Sequence, residues 1–393
     1  MRLVILLYVL CLSGCAVFDS VGESFSGLTE YFGGDEVTDP PKALIEYPPE
    51  KTIDVIWEAS VGVGTNQQSV NLVPAMGSET IFAADRKGLI VARALANGNK
   101  LWERNTDLPF SGGPGVGQGT LIIGTSDAEV VALQSETGAE LWRAKVSSEV
   151  LSVPVVANGI VIIRSSDGNV VALNEKTGAK LWSYAVPVPA LSIRGTGTPV
   201  LFEENIIGGY DNGKLMALRM KDGKFIWETS VAIPKGRSEV ERLVDLDVNP
   251  LEAAGVIYNA SFQGGVSATS AIDGEVIWRN ESISSHSGLS NDWRYLYLTD
   301  VESHVWQLDQ RSGLSLWKQQ DYHQRQLSPP AVFENYVVVG DFEGYVHCLS
   351  ALDGRSLARR HVAGGAITAK PVIVGDILFV YATDGTLAAV RVH

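Results

Sequence analysis

The sequence predicts an all-β protein: an eight-bladed β-propeller with four-stranded antiparallel blades, its last blade closed by an N-terminal strand. Three observations predict it. A unit of roughly 40 residues recurs along the chain, the signature of a repeat architecture. Each unit holds short runs of β-forming residues cut by Asp-Gly or Thr-Gly, which are strand and hairpin signals. The first and last units are incomplete in complementary ways.

The repeat is plainest in two adjacent segments. Ala-Glu-Val-Val-Ala-Leu leads to Thr-Gly-Ala-Glu-Leu-Trp at Trp142, and Gly-Asn-Val-Val-Ala-Leu leads to Thr-Gly-Ala-Lys-Leu-Trp at Trp182. Extended both ways, the pattern places Trp57, Trp102, Trp142, Trp182, Trp227, Trp278 and Trp317 in one column, with Ala358 in the eighth place. Four residues before each of the last seven stands a glycine: Gly98, Gly138, Gly178, Gly223, Gly274, Gly313 and Gly354. These glycines supply positive φ at tight turns. The tryptophans, at a fixed register, are expected to dock between neighbouring blades and bury a large area there. Ala92, Ala132, Ala172, Ala217, Ala268 and Ala389 form a further column, where only a small side chain fits between packed sheets; Cys348 falls in it and is expected to be buried rather than reactive.

The ends of the repeat predict how the ring closes. The unit that begins at Pro371 reaches Gly385 and Ala389 without a tryptophan segment, and Ile53 to Trp57 is an outer strand with no unit of its own. Pairing the two completes the eighth blade.

Ahead of the propeller, expected over 51–393, lie two further segments. Residues 1–14 read as a signal peptide, with Arg2 as the only charge before the apolar stretch Leu3 to Leu12. Ten apolar residues are too few to span a bilayer as a helix. Residues 15–50 contain Asp-Pro-Pro and Tyr-Pro-Pro, several glycines and no sustained periodicity, and are expected to form a flexible tether. Fully extended, the stretch from 16 to 50 reaches roughly 120 Å.

Composition narrows the function. The formal charge of −14, with no basic run, argues against nucleic acid and against bare anionic membrane as partners. Of three cysteines, Cys11 leaves with the signal and Cys15 stands at its end, so Cys348 has no partner for a disulfide. The six histidines (286, 304, 323, 347, 361 and 393) show no metal-ligand spacing, and neither Cys-Cys nor Cys-x-x-Cys-His occurs. No catalytic, metal or cofactor site is therefore predicted.

The loops point to a surface. From proline to tryptophan the first seven units keep 28 residues, as from Pro154 to Trp182, with Leu289 in the place of one proline and Ala358 in the place of one tryptophan. Length varies only between a tryptophan and the next proline: 17 residues from Trp182 to Pro199 and 23 from Trp227 to Pro250, against 11 to 13 at most other junctions. The junction from Trp57 to Pro74 is also 17, assigned here to the chain's path out of the closing strand. Long loops on a rigid scaffold are where function concentrates, and two neighbouring ones offer a contiguous surface.

Three resemblances add to this reading. Leu12-Ser13-Gly14-Cys15 resembles the lipobox of bacterial lipoproteins, which implies acylation of Cys15; Ala16 after it resembles the outer-membrane export signal. The Ala-Leu…Thr-Gly-x-x-Leu-Trp motif resembles the tryptophan-docking repeat of quinoprotein dehydrogenases, which implies a periplasmic quinone (PQQ)-dependent dehydrogenase as the alternative function. On a lipid anchor and at this length, residues 15 to 393 resemble the β-propeller lipoproteins of the outer-membrane β-barrel assembly machine. Two stretches sharpen that likeness: Pro189-Ala190-Leu191-Ser192-Ile193-Arg194-Gly195, and Ser238 through Asp247. The resemblance implies a non-enzymatic scaffold that docks on the periplasmic repeats of the machine's central barrel-assembly protein. Leu191 and Ile193 would enter an apolar pocket, flanked by Arg194 and by the carboxylates of Asp245 and Asp247. Exposed blade edges could also receive unfolded client strands by β-augmentation, a subordinate expectation.

Overall fold

A computed structural model describes residues 39–189, 195–233 and 244–393, and among them every regular element is a strand. Val-Val-Ala-Leu and similar runs form strands because successive residues enter the spaces on the two faces of the sheet, Val131 and Leu133 on one side and Val130 and Ala132 on the other, where β-branched side chains pack well. The strands form eight sheets. Blade 1 spans Ala75–Asn105, blade 2 Phe110–Lys145, blade 3 Val155–Ala185 and blade 4 Val200–Ser230. Blade 5 spans Leu251–Asn280, blade 6 Leu289–Gln319 and blade 7 Ala331–His361. Blade 8 joins Val372–Val374, Ile377–Tyr381 and Thr386–Val392 to the N-terminal strand Ile53–Ser60. The closure expected from the sequence is present. Ile53 pairs with Val392 and Trp57 with Ala389, antiparallel. Thr52 and His393 exchange backbone hydrogen bonds of 2.9 and 3.0 Å beyond them.

The tryptophan column shows how one blade locks to the next. Each indole N–H donates to a backbone carbonyl of the following blade: Trp142 to Glu175 (2.7 Å), Trp182 to Met220 (2.9 Å), Trp278 to Gln310 (2.9 Å). Each ring also lies on the turn glycine of that blade. A Cβ built on Gly98, Gly138, Gly178, Gly223, Gly274, Gly313 or Gly354 would stand 2.4–2.7 Å from ring carbon. Glycine is therefore required twice over, by a φ of +68° to +77° and by the indole. The column alanines stand directly across from the tryptophans, as in Ala172 against Trp182, and all are fully buried together with Cys348.

A β-bulge makes the Leu-Trp pair work. Ala172 pairs with Trp182 but Leu173 with Lys180, leaving Leu181 as the extra residue; the same shift recurs in the other blades. The bulge turns the tryptophan inward and its neighbour out, so Leu101, Leu141, Leu181, Ile226, Ile277 and Leu316 are exposed.

Ala358 breaks the column at the one junction without a turn glycine. The neighbouring blade is closed by the two chain ends, so no hairpin is there to receive an indole. Ala358 packs instead in one cluster with Ile53, Val392, Cys348 and the bulge residue Leu357. Leu357 is buried where its counterparts are exposed, and its carbonyl accepts from the N–H groups of Glu50 and Lys51.

That contact corrects the tether expected over 15–50. Its C-terminal part, from Lys42, belongs to the compact unit that contains the propeller. Lys42 N–H donates to His323 O, Arg359 binds the carbonyl of Ile45 and the carboxylate of Glu46, and Arg355 pairs with Glu50. The Pro-rich composition reads as a linker because an extended segment pinned through its backbone and charges carries no hydrophobic period.

Candidate functional site

The long loops between blades 3 and 4 and between blades 4 and 5 meet at their C-terminal ends. Gly195 lies against Asp247 so closely that a Cβ on it would stand 2.6 Å from Oδ2. Thr198 N–H donates to Asn249 Oδ1 (2.7 Å), and Gly197 lies over the carbonyls of Asp247 and Val248. Arg164, of blade 3 and only 3% exposed, donates to the Gly197 carbonyl and lies 4.3 Å from the Tyr210 ring. Val153 N–H donates to Thr198 Oγ1 (3.0 Å). The two loops are thus joined along 195–198 and 247–249 and fixed to blades 3 and 4.

They border a cavity of about 650 Å³, with Leu151, Phe262, His286 and Gln326 on its other walls. A third loop completes it. Residues 65–73, from the long junction after Trp57, run along one side, and Asn71–Leu72 form a short strand parallel to Gly112 and Gly113 of blade 2. Gly112 is itself pressed against the chain entering the next blade: a Cβ on it would meet Ser152 O at 2.5 Å and Val150 O at 2.7 Å. That junction does more than lead out of the closing strand. Its length was the available signal.

Two carboxylates lie at this mouth. Asp245 is buried. Asp247 is half-buried, and neither of its carboxylate oxygens has a hydrogen-bond partner among the described residues. Burial pushes its pKa up to about 7, with Asp211 and Asp245 adding to the rise and Arg164 opposing it. Burial also holds His286 below the ordinary histidine range. The structure thus brings Asp245 and Asp247 to the loop junction that the sequence indicated. Leu191, Ile193 and Arg194 lie outside the described residues, as does Cys15; Gly195, the neighbour of Arg194, is the residue in contact with Asp247.

One pair of residues escaped the sequence reading. His304 and His323, 19 apart in the chain, face each other at 3.1 Å beside Glu302. No fixed spacing links a turn within blade 6 to the loop that follows the blade.

Fold and site together define a tryptophan-docked β-propeller whose joined inter-blade loops border a recessed cavity. The family described as outer membrane protein assembly factor BamB matches residues 86–319 and 316–393. A BamB of Pseudomonas aeruginosa is 47% identical over 354 residues, covering 90% of this chain and 93% of that protein. One of Alkalilimnicola ehrlichii is 49% identical over 338 residues, covering 86% and 88%. The crystal structure of BamB from Moraxella catarrhalis superposes with a TM-score of 0.78 at 25% identity, covering 86% of this chain and all of that one. The chain belongs to the BamB family of outer membrane protein assembly factors. A europium-containing methanol dehydrogenase shares the propeller at 11% identity and a TM-score of 0.68, a likeness of fold alone.

Proposed function

We propose that this chain is a non-enzymatic scaffold in the assembly of outer-membrane β-barrel proteins, docking on the periplasmic repeats of the central barrel-assembly protein. Relatives at 47% and 49% identity over most of the chain carry the name outer membrane protein assembly factor BamB, which supports the assembly role. The observation that supports the docking surface is the junction of the two long loops at Gly195 and Asp247. Leu191 and Ile193 supply the apolar centre that a binding hot spot needs, and Arg194 a forked donor for a partner's carboxylate or carbonyls. Asp245 and Asp247 either orient Arg194 or receive a basic group of the partner. Acylated Cys15 holds the chain at the periplasmic face of the outer membrane, and the segment up to residue 41 gives the propeller reach.

The test is capture of the partner from membranes, with matched thermal melts. Arg194→Ala lowers partner affinity by about 2 kcal/mol or more if its side chain is enclosed on binding. An Asp245→Ala, Asp247→Ala double variant also captures less, and Cys15→Ala leaves the chain unretained in cells lacking the partner. Wild-type capture by both loop variants, each shown by its melt to be folded, would place the docking surface elsewhere. Quinone absorbance in the purified chain would favour the dehydrogenase reading instead.

A further inference from the structure

We infer that Glu302, His304 and His323 form a binding site for one divalent transition-metal ion of the zinc class, outside the docking surface. One ligand atom from each of the three lies within 4.8 Å of the others. Imidazole with a single carboxylate suits zinc, copper or nickel, whereas calcium and magnesium need more oxygen.

The site is built rather than accidental. The Asp300 carboxylate caps the turn that carries it: Oδ1 accepts from the N–H groups of Glu302 (2.9 Å) and His304 (2.8 Å). Oδ2 accepts from the Trp306 indole at 2.7 Å and lies 3.0 Å from His304 Nδ1. An ionised carboxylate can only accept, so Nδ1 carries the proton and Nε2 offers its lone pair. That arrangement, carboxylate to histidine to metal, is the one that fixes the ring of a metal-bound imidazole. His304 Nε2 points at His323 Nδ1, 3.1 Å away, and the rings stack with centroids 5.1 Å apart. Two nitrogens bound tetrahedrally at about 2.0–2.1 Å from zinc stand roughly 3.3 Å apart, so little movement is needed. Glu302 is exposed, with Oε2 3.3 Å from His304 Nδ1 and within 4.8 Å of the ligand atoms of both histidines; a turn of its side chain to the Nε2 side supplies a third ligand, and water takes the fourth position.

The position gives such an ion a structural consequence. His323 lies in the segment that holds the start of the compact unit. Its carbonyl accepts from Lys42 N–H (3.0 Å), Asp321 pairs with the Lys42 ammonium (3.0 Å), and Arg325 donates to the Lys42 carbonyl (3.2 Å). An ion joining His323 to His304 ties that clasp to blade 6, just where the chain leaves the propeller.

The experiment titrates zinc chloride against a chromophoric chelator, using the full-length chain without a histidine tag. Wild type takes up one equivalent at micromolar affinity or tighter. His323→Gln weakens uptake by about 100-fold and Glu302→Gln by about tenfold, while His361→Gln, an exposed histidine elsewhere, leaves it unchanged. Zinc also slows proteolysis between residues 39 and 51 in wild type and not in His323→Gln. His323→Gln and Glu302→Gln carry the test should a change at the buried His304 impair folding. No uptake by wild type, or equal uptake by wild type and His323→Gln, would overturn the inference. Neither result bears on the docking surface, which has its own readout.

Discussion

At Asp247 the carboxyl is pushed up to about 7 from its ordinary 3.8, mainly by burial and then by Asp211 and Asp245. Folding is therefore linked to pH there. Below about pH 4 both folded and unfolded chains hold the proton and Asp247 costs nothing. As pH rises from 4 to 7 the unfolded chain ionises while the folded chain retains its proton, so stability is lost, and the loss levels off above 7. Asp247→Asn should consequently raise stability by about 1–2 kcal/mol at pH 8, a figure reduced for the open side of the cavity, and the gain should fade toward pH 4. Denaturant titrations at the two pH values check it. A loss at pH 8 instead would mean that the carboxylate is already charge-paired, Arg194 on the adjoining loop being the cation within the expected set. The sequence could place Asp245 and Asp247 on a long loop. It could not show that one carboxylate is half-buried beside a second and against Gly195, because that environment is assembled from two loops and blades 3 and 4.

Among the elements, the turn that ends each third strand is where local conformation and blade packing meet. Gly178 has φ +69°, and a Cβ on it would lie 2.5 Å from the Trp142 ring; Gly159 has φ +76° and open space around it. Gly159→Ala should therefore cost only the left-handed backbone penalty, about 1–2 kcal/mol. Gly178→Ala should add roughly 1–3 kcal/mol for the displaced indole. Urea unfolding of the two variants separates the terms, and equal losses would mean that the ring yields freely. The positive φ was legible in Thr-Gly. The indole contact was not, since the tryptophan that meets Gly178 stands 36 residues earlier, in another blade.

For the molecule as a whole, the ring is held shut by Ile53–Ser60, which pairs with Thr386–Val392 and carries Trp57 onto Gly98 and, at 5.8 Å between centroids, beside Phe379. Three deletions ahead of the propeller should divide stability accordingly. Removing residues 16–41 leaves the melting temperature unchanged. Removing 16–51 lowers it by a few degrees, because Leu357 and the Arg355 and Arg359 contacts are uncovered. Removing 16–60 deletes a strand and an interlocking tryptophan worth about 3–5 kcal/mol alone, and exposes two strand edges, so aggregation follows. Equal melting of the first and third would show that the closing strand contributes nothing.

By itself the sequence determined the blade number, the strand order within a blade, the docked tryptophans and the seam at which the ring closes. These are periodic properties: each unit must bury the same face against the next, so the same residue types return at the same spacing. It also marked the loops between blades 3 and 4 and between blades 4 and 5, because insertions stand out against a constant interval. Only the tertiary structure decided that Lys42 onward lies on the propeller and that the loop after Trp57 forms a wall of the cavity. The same holds for the meeting of His304 with His323. Those contacts join segments through backbone hydrogen bonds and charges across blades, and such pairings leave no repeat in the chain.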